Sequence, residues 1–239
     1  MVIAAHGPDP RKSGRVPTGA FHRVRDRLGT DIVSGALPEG AVMTIEDLER
    51  RTGNSRSIVR EATRVLVSLG MLLATQRVGV RVLPERNWNV FDPQVIRWRL
   101  RSDARALQLR ELFELRLAVE PEAARLAADR RSPVQAAALL EAADRLSRSE
   151  VDGGQDEFLD ADLDFHRHVL AASANATFVR LGAVIDEALR ERAIVDRAQI
   201  APDDHDLHLH IAVARAIDGG DGTAAAADMR EIVARTHPS

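Results

Sequence analysis

Two groups of residues in this sequence have the types and the spacing to do chemistry. Asp162 and His166 lie four apart, so on a helix both project from one face and could grip a metal ion. Histidines recur around them and further on, at His166, His168, His205, His208 and His210. The plain alternative for His205 and His208 is a pair of surface histidines near a helix start. For Asp162, His166 and His210 it is a buried polar network without an ion. The second group is Ser55-Arg56-Ser57 with Arg60. Ser55 is an N-cap residue by type, with an oxygen able to accept from first-turn amides. Arg56 and Arg60 then share one side of the helix. Ile58, Ala62, Val65, Leu66 and Leu69 recur at helical spacing on the other side, and Gly70 is placed as a C′ glycine. Hydroxyls and guanidinium groups at the N-terminal end of a short helix suit entry into a DNA major groove. Taken alone, a solvated surface helix explains them equally well.

The chain must supply the scaffold for both groups. Its 239 residues are enough for one large domain or two ordinary ones. With 45% hydrophobic and 29% charged residues it can bury a core, and with only 3% aromatics that core must be Leu, Val, Ile and Ala. The absence of cysteine excludes disulfides, a thiolate nucleophile and Cys-ligated metals. No stretch approaches the roughly 20 apolar residues of a membrane span, and the N-terminus has no secretory h-region. A cytoplasmic protein with no membrane partner is expected. The net charge of −3 is unevenly spread: residues 1–84 hold 13 Lys/Arg and 8 Asp/Glu, a net of +5, which leaves −8 for 85–239. A basic module beside an acidic one predicts nucleic-acid contact by the first alone, since phosphate binding needs local positive charge.

Taken in order, residues 1–17 read as a disordered arm. An amphipathic helix follows over 19–35, with Phe21, Val24, Leu28, Ile32 and Val33 on one face. Thr44 with Asp47 makes a capping box for a short helix that Gly53 ends. After the Ser55 helix come two apolar runs, Met71 to Thr75 and Val80 to Leu83, with Gln76-Arg77-Val78-Gly79 as a basic hairpin tip. Asp92 and Pro93 are cap and first residue of another helix. Trp88, Phe91 and Trp98 concentrate scarce aromatic area nearby, suited to docking one domain on another. From Asp103 onward there is no convincing strand. A long helix begins there, which Pro121 must kink or restart, and helical runs follow at 133–148, 155–173, 177–199, 204–218 and 222–236. The fold class is mainly α: a winged helix-turn-helix, then an all-α bundle of six or seven helices.

Helix, turn, helix and basic hairpin, with Leu48, Gly53, Ser55-Arg56, Val59-Arg60-Glu61-Ala62, Leu66, Gly70-Met71-Leu72 and Gly79, resemble the DNA-binding domain of the GntR family of bacterial transcription factors. Glu114-Leu115-Arg116, Glu120-Pro121-Glu122-Ala123-Ala124, Asp162-x-x-Phe165-His166, Ala172-Ser173-x-Asn175 and His210 are similar to the ligand-binding (FCD) domain of its FadR subfamily. Trp88-x-x-Phe91-Asp92-Pro93 resembles the galactonate-repressor-like branch, which includes repressors of sugar-acid catabolism. The resemblance implies a disordered arm over 1–17, a winged helix-turn-helix over 18–84, a linker and docking helix over 85–102, and an effector-binding and dimerisation domain over 103–239. It implies DNA contacts from Thr44, Ser55, Arg56, Ser57, Arg60, Arg77, Gly79 and Arg81. It makes Asp162, His166 and His210 ligands for Zn, Ni or Mn, with Ile232 standing where the family has a fourth, histidine ligand. His237 is too near the terminus to replace it. At Glu46 many members carry an arginine that contacts DNA; here either docking differs or Glu46 faces Arg50. Arg116, with Asn175, is the candidate for an effector carboxylate, against an Arg–Glu structural pair.

The resulting expectation is a bacterial, nucleoid-associated homodimeric regulator, a repressor rather than an enzyme. It would bind a double-stranded operator and respond to a small carboxylate such as an aldonate or hydroxy acid. A DNA-binding protein whose second domain only dimerises is the alternative, and a metal-dependent hydrolase a remote one.

Overall fold

The first unit grows from three helices whose apolar stripes meet. The computed structural model describes residues 18–76, 78–152, 155–196 and 204–236. The arm expected over 1–17, Arg77 and His237 lie outside them. Helix α1 (Thr18–Val33) buries Val24, Leu28 and Ile32, as its spacing requires, and packs on α3. Strand β1 (Val42–Met43) leads to α2 (Ile45–Thr52), where Thr44 and Asp47 form the reciprocal capping box and Gly53 ends the helix at φ 67°. Helix α3 (Arg56–Ser68) buries Ile58, Val59, Ala62 and Leu66. Its end is a Schellman turn: Met71 N–H donates to Leu66 O and Gly70 N–H to Val67 O, both at 3.0 Å. Gly70 has φ 71°, and a Cβ there would stand 2.1 Å from the Asn87 carbonyl oxygen, so the site admits no side chain.

The hairpin is present as β2 (Leu72–Thr75) and β3 (Gly79–Val82), paired Leu72 to Val82 and Thr75 to Gly79. It gains a third strand that sequence patterning did not indicate: β1 pairs with β3, giving the order β1-β3-β2. Two residues are too few to show alternation, and the strand exists only because β3 offers it a partner.

Contacts divide the chain into residues 1–89 and 90–239. The segment expected to act as one linker over 85–102 is therefore shared between the units. A 3₁₀ turn at Glu85–Asn87 stays with the first, where Trp88 Nε1 donates to Leu83 O at 3.1 Å and Asn89 N–H to Leu69 O at 2.8 Å. Helix α4 (Pro93–Leu100) belongs to the second, and Asp92 caps it with Pro93 at its first turn. Trp98 is buried in that unit, and Ile96 and Leu100 pack with Leu112, Val184 and Ala188.

Six further helices complete the second unit among the described residues: α5 (Arg105–Arg130), α6 (Pro133–Asp152), α7 (Gln155–Ala172), α8 (Ala176–Asp196), α9 (Asp204–Gly219) and α10 (Gly222–Ala234). Pro121 does not restart α5, which runs 26 residues through it. A mid-helix proline costs about 3 kcal/mol, and burial of the flanking Glu120, Ala123, Ala124, Ala127 and Ala128 is the packing that offsets it. That small-residue face lets α5 approach α10 closely; a Cβ on Gly222 would stand 3.0 Å from the Arg125 carbonyl. Helix α4 is tied down by Arg97 to Glu187 on α8 at 3.0 Å, and by Arg99 to Gln108 and Glu111 on α5, both at 2.7 Å.

Candidate functional site

The exposed site of the first unit is the N-terminal end of α3. Ser55, Arg56, Ser57 and Arg60 are all exposed there. Ser55 has extended N-cap backbone geometry, and its carbonyl accepts the first helical bond from Val59. Its side chain makes no cap hydrogen bond, which corrects the expectation that its oxygen serves the helix; the hydroxyl is left for something outside it. The neighbouring cations divide sharply. Arg64 pairs with Glu61 at 2.5 Å, Arg51 with Asp31 at 2.8 Å, and Arg50 with Asp47. The structure thus gives Arg50 to Asp47 rather than to Glu46. Arg56, Arg60 and the exposed Arg81 on β3 make no ion pair among the described residues. Thr44, Glu46, Arg56, Arg60 and Gly79 border one concavity of about 520 Å³ between α2, α3 and the hairpin. Gly79 has φ 122°, and a Cβ on it would stand 2.1 Å from the Met43 carbonyl oxygen, so it closes the sheet. Thr44 is committed in part to capping α2.

The buried site of the second unit gathers side chains from α5, α7 and α9. Asp162 Oδ1 lies 3.4 Å from His166 Nε2 and 3.3 Å from His210 Nε2, and the three ligand atoms fall within 4.8 Å of one another. All three residues are buried. The other ring nitrogens are held from behind. His210 Nδ1 donates to the Asp206 carbonyl at 2.7 Å, and His166 Nδ1 abuts the Glu120 carboxylate. A carbonyl and a carboxylate accept only, so each Nδ1 carries a proton, and each ring in its neutral form turns its Nε2 lone pair inward. Phe165 packs its ring edge-on against both imidazoles, with centroids 5.6 and 4.9 Å away. Among the described residues, Asp162 Oδ1 and both Nε2 atoms have no hydrogen-bond partner. Once His166 is neutral, three buried electron-pair donors face one another with no donor between them, an arrangement that fits a divalent cation.

Electrostatics sharpen the point. Burial pushes the His166 imidazole down, but the Glu120 charge and Asp162 hold it up at about 9. Burial pushes the Glu120 carboxyl up, but Arg116 and then His166 bring it to about 2. Against the same burial, the two imidazoles keep Asp162 well below the usual carboxylate range. Without a cation, His166 holds a proton in its place.

Arg116 is buried, and its Nε donates to Glu120 Oε1 at 2.5 Å, so the Arg–Glu pair exists. Its Nη2 has no partner among the described residues. Asn175 is used otherwise: its side-chain oxygen accepts from Thr177 N–H at 3.0 Å and Phe178 N–H at 3.4 Å, capping α8. Ile232 is fully buried in the core. His205 pairs with Glu231 at the surface. Sequence reading passed over Glu120 and Asp206 as the groups that orient the two histidines. No residue-type signal marks the second, because Asp206 acts through its backbone carbonyl, which any residue four before His210 would offer.

Residues 21–82 match the model of the gntR family of bacterial regulatory proteins, and residues 111–235 match the FCD domain. The chain belongs to the GntR family. This GntR member is a DNA-binding transcriptional regulator, not an enzyme. It is 27% identical to the Escherichia coli HTH-type transcriptional regulator YieP over 84% of this chain and 86% of that one. It is 29% identical to the Escherichia coli galactonate operon transcriptional repressor over 85% and 89%. Among solved structures, Streptococcus agalactiae GntR covers 90% of this chain and 97% of its own, with 24% identity and a TM-score of 0.50; that likeness concerns the fold. No described helix is long and apolar enough to cross a membrane.

Proposed function

We propose that this GntR regulator is a repressor whose grip on operator DNA is set by a small organic acid bound beside a divalent ion in its helical unit. The convergence of Asp162 Oδ1, His166 Nε2 and His210 Nε2, with both Nδ1 atoms anchored, carries the reading. Zn, Ni or Mn suits such N/O donors, and a cation held by three protein ligands would offer open positions to a carboxylate. Arg116 presents its free Nη2 as the complementary cation for that acid. An aldonate or hydroxy acid is the class favoured, and the likeness to a galactonate operon repressor supports it. On DNA, Arg56 and Arg60 address guanine edges or phosphates, Ser55 and Ser57 address phosphates, and Arg81 lies along a groove rim. Two copies would read half-sites about 34 Å apart, one turn of duplex. By linkage, operator binding lowers effector affinity by the factor by which effector lowers operator affinity.

Metal content and thermal shift of the wild type and His166→Ala, with and without a panel of aldonates and hydroxy acids, test the proposal. Stoichiometric metal that the variant loses, with acid-dependent stabilisation of the wild type, is expected. A metal-free wild type that no acid stabilises would overturn it. That outcome would leave the reading in which the second unit only dimerises, which the apolar Ile232 at the fourth position favours.

A further inference from the structure

Glu46 is a misfit on the face that meets DNA. It sits in the first turn of α2, exposed, on the same concavity as Arg56 and Arg60. Its acidic neighbour Asp47 has a complete account: it accepts from Thr44 N–H at 2.9 Å and Thr44 Oγ1 at 2.7 Å, and takes the Arg50 charge. Glu61 likewise is spent on Arg64. Glu46 makes no ion pair or hydrogen bond among the described residues, although its surroundings are rich in arginine. A carboxylate in the first turn favours the α2 dipole, a role Asp47 already fills, so no contact among the described residues requires a second acid here.

Its chemistry limits what it can do there. A carboxylate only accepts hydrogen bonds, and phosphate oxygens also only accept, so against the backbone of any duplex it is repelled. The repulsion is offset only where the DNA supplies a donor. In the major groove that donor is a base amino group, and the geometric match for Glu is cytosine N4. Arginines beside it that favour guanine complete a surface suited to G·C pairs. We propose that Glu46 is a specificity-determining residue that accepts from the N4 amino group of an operator cytosine and penalises duplexes that lack one at that position.

The inference rests on DNA binding through α3. It is tested by selecting duplexes from a random-sequence library with the full-length wild type, Glu46→Gln, Glu46→Ala and Glu46→Arg, then measuring affinity for the enriched and random duplexes at several salt concentrations. Wild type is expected to enrich a motif with one position fixed as cytosine. Glu46→Ala should lose the preference at that position alone, and its operator-to-random affinity ratio should fall by about tenfold. Glu46→Arg should bind random duplex more tightly, with a log–log salt slope steeper by about 1. The same motif and ratio in all four proteins would overturn the inference and leave DNA binding intact. Failure of the wild type to enrich any sequence would overturn the reading through α3 and this inference with it.

Discussion

The two units handle charge in opposite ways. At the N-terminal end of α3, Arg56 and Arg60 are exposed with no partner among the described residues, while Arg50, Arg51 and Arg64 around them are paired. In the helical unit, Arg116, Glu120, His166, Asp162 and His210 are all buried, and each lies against the next. An exposed unpaired cation costs the folded protein almost nothing, so it can be kept for a large polyanion. A buried charge is tolerable only when paired, so the second site is built as a chain of partners, and the orphan atoms at its centre are those the proposed ion would satisfy. The same contrast separates effects on stability from effects on binding.

Glu120→Ala should break the buried chain hardest. It strips Arg116 and His166 of their carboxylate, and breaking a buried pair costs about 3–5 kcal/mol. At roughly 2–4 °C per kcal/mol for a chain of this size, calorimetry should show a fall in Tm of about 10 °C. Arg56→Ala and Arg60→Ala should do the reverse. Each should weaken operator binding by about 1–3 kcal/mol in fluorescence anisotropy at fixed salt, with no change in Tm; unchanged operator affinity would dissolve the contrast.

The histidine site should respond to pH in two opposed ways. Without metal, the raised His166 contributes stability that is complete below its unfolded value of 6.5 and is lost as pH climbs through about 9. Metal must displace that proton, so zinc affinity by competition titration should rise roughly tenfold per pH unit up to the same point. The smallest effect should come from Ile232→His, which places an imidazole at the family's fourth position. It should tighten zinc binding while costing the metal-free protein about 1–2 kcal/mol, because it buries a polar ring in an apolar core. If zinc affinity does not change, the fourth position does not reach the ion.

Much of this was legible from residue types. The Asp92-Pro93 start of α4, the Thr44 and Asp47 box, the Gly70 stop and the glycine-bearing hairpin are local devices, and local devices show in sequence. The triad of Asp162, His166 and His210 was placed by likeness to the family, and only its i to i+4 half by spacing. What escaped depends on partners distant in the chain. Strand β1 exists through β3, the unbroken α5 through its packing against α10, and the role of Glu120, on α5, through the nitrogen of His166, on α7, that it faces. Ser55 shows the complementary error, since a residue suited to a local bond can leave it unmade.

The bond from Asn89 N–H to Leu69 O has a mechanical consequence. It pins the exit of the first unit to the tail of α3, and Asp92 is already fixed as the cap of α4. Only Val90 and Phe91 remain uncommitted between them, and three Cα–Cα steps span at most about 11 Å. The covalent connection between the units is therefore short. If the proposed effector acts through this connection, a few inserted glycines here should leave each half competent for its own ligand while making the repressor deaf to it.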